Sequence, residues 1–159
     1  MIQDSGARRE FETGAVRDIQ EGKGRCDLMP LSTVSAVLYN DSFISLLAEF
    51  MKTKDPDCLV NAAMKLMYNC EPSPYSNPYT ALLELSKHFE EGAKKYGERN
   101  WEKGIPLHCF IDSAIRHYLK YRRGDSDEPH DRAALWNVVC AHWTATNISG
   151  SLDDIPDLV

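Results

Sequence analysis

The chain has 159 residues, an apolar share of 43% and a formal net charge of −6, enough length for one domain with its own core. Its negative balance excludes a general attraction to nucleic acid or to an anionic membrane, and no run approaches the roughly 18 apolar residues of a membrane span. Cys26, Cys58, Cys70, Cys109 and Cys140 form no CxxC pair; with no visible signal peptide, the expectation is reduced thiols in a cytoplasmic protein.

Residues 1–30 are polar and punctuated by glycine. The stretch "FETGAVRDIQEGKGRCDLMP" reads as an irregular arm ending at Pro30, with Ile19, Leu28 and Met29 as its apolar anchors. Helical periodicity follows in Val34, Val37 and Leu38, then in Phe43, Leu46, Leu47 and Phe50. Asn40, Asp41 and Ser42 split it into two helices. "DPDCLVNAAMKLMYNC" predicts a third, with Asp55 or Asp57 near its start, and the prolines of "EPSPYSNPY" predict a loop. The next helix spans about 79–96, with Leu82, Leu85, Phe89, Ala93 and Tyr96 on one face. Another spans about 106–123, with Leu107, Phe110, Ile111, Ala114, Ile115, Tyr118 and Leu119 inward. The last spans about 129–145; its middle, "ALWNVVCAHW", is apolar nearly all round and predicts the central buried helix.

No segment alternates with period two, so no strands are expected. The prediction is one all-α domain over 1–159, a helical bundle of five to six helices with an irregular N-terminal arm. Residues 1–30 are the arm, 31–78 extra helices, 79–145 the functional helices and 146–159 a loose acidic tail.

The polar groups give the functional reading. "EEGAKKYGERNWEKG" crowds both signs of charge, a Tyr and a Trp between Glu90 and Gly104. At about 100° per residue, Glu90 is expected to face an inter-helix cleft and Glu91 solvent. Asp112 and His117 lie on opposite flanks of their helix, with Arg116 further out. His130, Ala134, Asn137, Ala141 and Thr144 share a face on the last helix, where small residues leave room for a ligand. "RRGDSDEPHD" places Asp125, Asp127, Glu128 and Asp131 near a helix N-terminus, where acids equally serve the macrodipole. Asn137 equally reads as a satisfied core amide. Carboxylates from three helices, with Glu90 and Asp112 converging, need a neutralising cation, because two carboxylates 4 Å apart repel by about 4 kcal/mol at an effective dielectric near 20. Oxygen ligands point to Mg²⁺ or Mn²⁺, and no Cys/His set has zinc spacing.

Four blocks, "FETGAVRDIQEGKGRCDLMP", "EEGAKKYGERNWEKGIP", "DSAIRHYLKY" and "GDSDEPHDRAALWN", resemble the phage-type dATP/dGTP diphosphohydrolases, a branch of the MazG-like all-α nucleotide pyrophosphohydrolases. The resemblance covers 11–30 and 84–144, whereas 35–80 carries no block of it. It implies Mg²⁺-dependent cleavage of a purine deoxynucleoside triphosphate to monophosphate and pyrophosphate, by a dimer or tetramer in the cytoplasm. MazG-like enzymes carry ExxE on one helix and ExxD on the next. Here Asp112 stands at the first acid of ExxE, with Arg116 one residue past the second, and Glu128 to Asp131 has the ExxD spacing; alignment on Trp136 and Asn137 instead puts His130 and Ala133 there.

The reading that follows has Glu90, Asp112 and Glu128 holding two or three Mg²⁺ or Mn²⁺ ions, with Glu91, Asp127 and Asp131 in reserve. Lys23 and Arg25 of "GKGR", with Lys95 and Arg116, neutralise the phosphates; no Walker spacing is present. Trp101 stacks on the base or anchors its loop, Asn100 or Asn137 bonds the base edge, and His117 and His130 complete the substrate set. Two rivals stand beside it. One is an HD phosphohydrolase built on His130 and Asp131, with His88, His108 or His117 upstream. The other is a non-catalytic helical nucleotide-binding module. Neither nucleic acid nor membrane is an expected partner.

Overall fold

A computed structural model describes residues 6–69 and 77–157. Its regular elements are β1 (Arg8–Glu10), β2 (Val16–Asp18), α1 (Leu31–Val37), α2 (Ser42–Thr53), α3 (Asp57–Met64), α4 (Pro78–Tyr96), α5 (Leu107–Arg123) and α6 (His130–Asn147). The architecture is helical, as expected, and the borders of α4, α5 and α6 fall within two residues of the sequence periodicity. Most of the expected proline-rich loop, and Cys70, lie outside the described residues. The described cysteines are free thiols. No helix among the described residues is long and apolar enough to cross a membrane.

Local chemistry sets the helix ends. Asp41 caps α2 by accepting from the Ile44 N–H at 3.0 Å, and also accepts the Tyr118 hydroxyl at 2.6 Å, which ties this cap to α5. Asn77 caps α4 through the Thr80 N–H at 2.9 Å. Pro78 takes the first turn, where its missing N–H removes no bond. Gly124, at φ +92°, closes α5 with its N–H on the Lys120 and Tyr121 carbonyls.

The core pair is α5 against α6, joined by a short loop. Phe110, Ile111, Ala114 and Ile115 of α5 meet Ala134, Leu135, Val138 and Ala141 of α6, all fully buried. The expected central helix is thus found in α6. α2 and α3 add Phe43, Ile44, Leu47, Phe50 and Leu59 to the same core, and α3 passes into a π turn at Lys65–Asn69.

The arm and the tail depart from expectation. β1 and β2 pair antiparallel, Arg8 opposite Asp18, Arg9 opposite Arg17 and Glu10 opposite Val16, where no strand was expected. Strands of three residues are too short to show alternation, and distant contacts hold them. The Asn100 amide accepts from the Val16 N–H at 2.8 Å and donates to the Val16 carbonyl at 2.9 Å. The Thr13 hydroxyl donates to the Gly104 carbonyl at 2.9 Å. The tail is docked rather than loose: Ile155 is 1% exposed and Leu152 packs beside it. α5 begins after Pro106 with no side-chain cap of its own, and Asp154 supplies one by accepting from the His108 N–H at 3.0 Å.

Candidate functional site

A cleft of about 530 Å³ opens between β2 and its following loop, the C-terminal half of α4, the turn at Asn100–Lys103, one face of α5 and the start of α6. Arg9, Arg17, Lys23, Arg99, Arg116 and Lys120 line it, against two carboxylates, Asp18 and Glu128. A chain that is acidic as a whole therefore gathers positive charge at one concave place, which focuses a field that attracts anions.

Successive side chains on a strand point to opposite faces, and the Asn100 clamp on Val16 fixes which way the next two point. Arg17 goes to the floor. Its Nη2 donates to Ser113 Oγ at 3.2 Å and to Asn137 Oδ1 at 3.0 Å. Its guanidinium lies over Phe110 and Trp136, 5.3 and 6.0 Å from the ring centroids. Burial pulls its pKa below the ordinary arginine value, and its Nη1 is buried with no partner among the described residues. A buried cation with an unused donor is a ready subsite for an anion. Asp18 goes the other way, accepting from Arg8 at 3.1 Å, Lys95 at 2.9 Å and the Tyr96 hydroxyl at 2.9 Å, with Lys23 at 3.9 Å. Burial, then the Asp18 charge, push the Tyr96 hydroxyl well up, so it remains a donor.

The expected carboxylate cluster does not assemble. Glu90 is exposed and pairs with Lys94 at 2.5 Å, whereas Glu91 turns inward and takes Arg132 with both oxygens at 3.0 Å. The expected orientation of these two is therefore reversed. Asp112 is 1% exposed, accepts from Arg116 at 2.7 Å and from the Cys26 N–H at 2.6 Å, and pins the arm to α5. Asp127 bonds His130, and Asp131 lies half-buried outside the cleft lining. Of the six carboxylates expected to hold metal, Glu128 alone lines the cleft.

The substrate set fares better. Lys23, Arg116, His117, Trp101 and Asn137 line the cleft, and Lys95 stands behind Asp18. Arg25 lies outside and forks onto Asp27 at 2.7 and 2.6 Å. The amides expected at the base edge are consumed: Asn100 by Val16, and Asn137 by Arg17 and, through its Nδ2, the Ala133 carbonyl at 2.9 Å. Trp101 is half-buried, edge-on to Phe89 at 5.7 Å and to Trp143 at 4.9 Å, so it anchors its loop while keeping a cleft-facing part.

Behind the cleft wall His117 Nδ1 meets His130 Nδ1 at 3.0 Å, with Glu128 Oε1 3.5 Å from each. His130 Nε2 bonds Asp127 Oδ1 at 2.7 Å. Burial and the neighbouring His130 hold His117 well below the ordinary histidine range. Asp131 is absent from this group, so the HD pairing of the first rival does not form. Among the described residues, the two sets close enough to share a metal both contain His130; a cage of carboxylates alone is not among them.

Sequence reasoning gave no role to Arg17 and Asp18, named His88 only in the HD rival, and used Trp136 only as an alignment mark. His88 Nδ1 and Trp136 Nε1 are buried without partners among the described residues, with rings 5.6 Å apart. Burial, then Arg132, lower the His88 pKa to about 4. Arg17 and Asp18 stand inside the first quoted block, and that was the available signal. The model of a family described as dATP/dGTP diphosphohydrolase, N-terminal, matches residues 59–154, which takes in α4, α5 and α6 and leaves out the arm. No curated protein and no solved structure matches the chain.

Proposed function

The chain belongs to the dATP/dGTP diphosphohydrolase family, and from that premise we propose that it hydrolyses a purine deoxynucleoside triphosphate to the monophosphate and pyrophosphate. The observation that carries this reading is Arg17: a buried guanidinium with an unused Nη1, on the floor of a cleft rimmed by Lys23, Arg116 and Lys120. A guanidinium fork matches phosphate oxygens in pairs, and the surrounding cations offset charge that builds on the leaving pyrophosphate. Phe89, Trp101 and Trp136 give the base aromatic surface, and His88 Nδ1 and Trp136 Nε1 offer polar atoms to a purine edge.

Glu128 is the carboxylate on the cleft wall that orients the attacking water and takes its proton. Its neighbour His117, held well below the ordinary histidine range by burial and by His130, stays neutral. The Mg²⁺ or Mn²⁺ dependence in this reading comes from the family resemblance alone. The carboxylates assigned to those ions fail to converge, and they do not fit the oxygen-only cage that a resident Mg²⁺ demands. Assembly as a dimer or tetramer belongs to the same proposal; exposed Val37, Leu38, Tyr39, Leu82 and Leu83 offer apolar surface for it.

The test is product analysis on a panel of deoxynucleoside triphosphates. Monophosphate and pyrophosphate from dATP or dGTP are the expected products. Tripolyphosphate plus nucleoside would transfer the chain to the HD class of chemistry, and no turnover of any triphosphate would leave a binding module.

A further inference from the structure

We propose that His117, Glu128 and His130 form a site for one divalent ion of the imidazole-preferring kind, Zn²⁺, Co²⁺ or Fe²⁺, with Asp127 as the carboxylate behind it. The site stands on its own geometry and holds whether or not the chain hydrolyses nucleotides.

The first support is distance. The two Nδ1 atoms are 3.0 Å apart, and Glu128 Oε1 is 3.5 Å from each. An ion with tetrahedral ligands about 2.0–2.1 Å away has ligand-to-ligand edges of roughly 3.3 Å. The triangle therefore accepts an ion after shifts of a few tenths of an ångström.

The second is proton placement. A carboxylate only accepts, so the 2.7 Å bond to Asp127 puts a proton on His130 Nε2. With the ring neutral, as metal binding requires, His130 Nδ1 then offers a lone pair to its neighbours. This is the carboxylate–histidine arrangement that fixes the tautomer of a metal-binding imidazole. The 3.0 Å contact between the two Nδ1 atoms holds one proton between them; an arriving ion releases that proton and takes both lone pairs.

The third is donor type and access. Two nitrogens and one oxygen suit borderline metals better than Mg²⁺. The His130 side chain is fully buried, whereas His117 and Glu128 line the cleft. An ion there is anchored from behind and can keep a coordination position open towards the cleft, as catalytic sites with three protein ligands do. His117 and His130 come from two helices packed against each other, so the two imidazoles stand on rigid elements, and Glu128 joins them from the short loop between.

The experiment is direct metal binding to the full chain after chelator stripping and dialysis. Co²⁺ is followed by its visible absorption and Zn²⁺ by calorimetry, for the wild type and for His117→Gln, Glu128→Gln and Asp127→Asn. The expected result is one ion per chain at micromolar concentrations or tighter, near-abolition in His117→Gln and marked weakening in Glu128→Gln. Asp127→Asn should weaken binding on the order of 10–100-fold although it touches no metal. Zn²⁺ should raise the wild-type melting temperature and leave that of His117→Gln where it was. If His117→Gln fails to fold, Glu128→Gln, altered at the cleft wall, decides the matter with its melting in chelator as the folding control. A wild type that binds neither Co²⁺ nor Zn²⁺, or variants that bind as tightly as the wild type, would overturn the site.

Discussion

Replacing Arg17 by Met separates a phosphate-binding role from a structural one. On the structural side, Asn137 Oδ1 loses its donor, at about 1–3 kcal/mol for an orphaned buried acceptor. Ser113 Oγ does not, because Arg116 Nη2 also donates to it at 3.1 Å. Against that loss, an incompletely paired cation leaves a buried position, and exchanging such a charge for a well-packed apolar chain is often neutral or stabilising by 1–4 kcal/mol. The two nearly cancel, so the melting temperature should move by only a few degrees. On the functional side, a hydrogen bond to a charged group contributes about 1.5–3 kcal/mol, which converts to roughly 10–100-fold in affinity. The assays are KM and kcat for dATP and dGTP beside thermal melting. Arg17→Met should raise KM on that scale while staying folded. Arg17→Lys should recover part of it, because it keeps the charge and loses the fork. Arg25→Ala, outside the cleft, is the kinetic control: it should leave KM and kcat as they are, while lowering the melting temperature because it strands the buried Asp27 carboxylate. Wild-type kinetics in Arg17→Met would refute phosphate binding at this floor; collapse of the fold would make Arg17 a pillar of the arm.

Three further outcomes follow from the same geometry. Glu91→Gln should destabilise by about 2 kcal/mol in urea unfolding, since it strands the buried Arg132 guanidinium, whereas Glu90→Gln, at the exposed Lys94 pair, should leave both stability and turnover as they are. Asp154→Asn keeps the cap on the His108 N–H but removes the charge that, with a Cys109 contact, raises the His108 pKa from 6.5 to about 10. A raised folded-state pKa stabilises fully below the ordinary value and fades as pH rises through the folded one, so the melting gap between wild type and variant should be widest below pH 6.5 and close by about pH 10; a gap that widens with alkali would contradict the pairing. Ile155→Ala should cost about 2–5 kcal/mol by chemical denaturation, as for a filled core position, and a neutral result would return the tail to a loose segment.

The helices were legible because their signals are local. The apolar stripes of α4 and α5 run for four turns or more, Asp41 and Asn77 are good caps, and Gly124 ends α5 in a left-handed conformation. The hairpin and the docked tail were not, because their determinants are far away. Val16 is held by an amide 84 residues on, and Asp154 is drawn to a helix start that Pro106 leaves uncapped. Neither Asn100 nor Asp154 looks unusual in its own neighbourhood.

The site was half legible, and the reason lies in helix phase and in counter-charge. Weighting Leu82 centred the inner face of α4 too far round: Leu82 and Leu83 are 47% and 69% exposed, whereas His88, counted as polar, is buried. Moving the centre towards His88 and Gly92 turns the face by about 60°, at 100° per residue. That is enough to carry Glu91 inward and Glu90 outward. Clustered carboxylates do need cations, but here the cations are covalently part of the chain. Lys94 and Arg116 each stand four residues after the acid they neutralise, one helical turn on and on the same face. Arg132 reaches Glu91 from a neighbouring helix. A sequence shows the sign of these charges and not their pairing, so an acid bound for a lysine and an acid bound for a metal read alike. Arg17 escaped for the converse reason. It is a cation in a polar arm, indistinguishable from a solvated one until the Asn100 clamp on Val16 turns it inward.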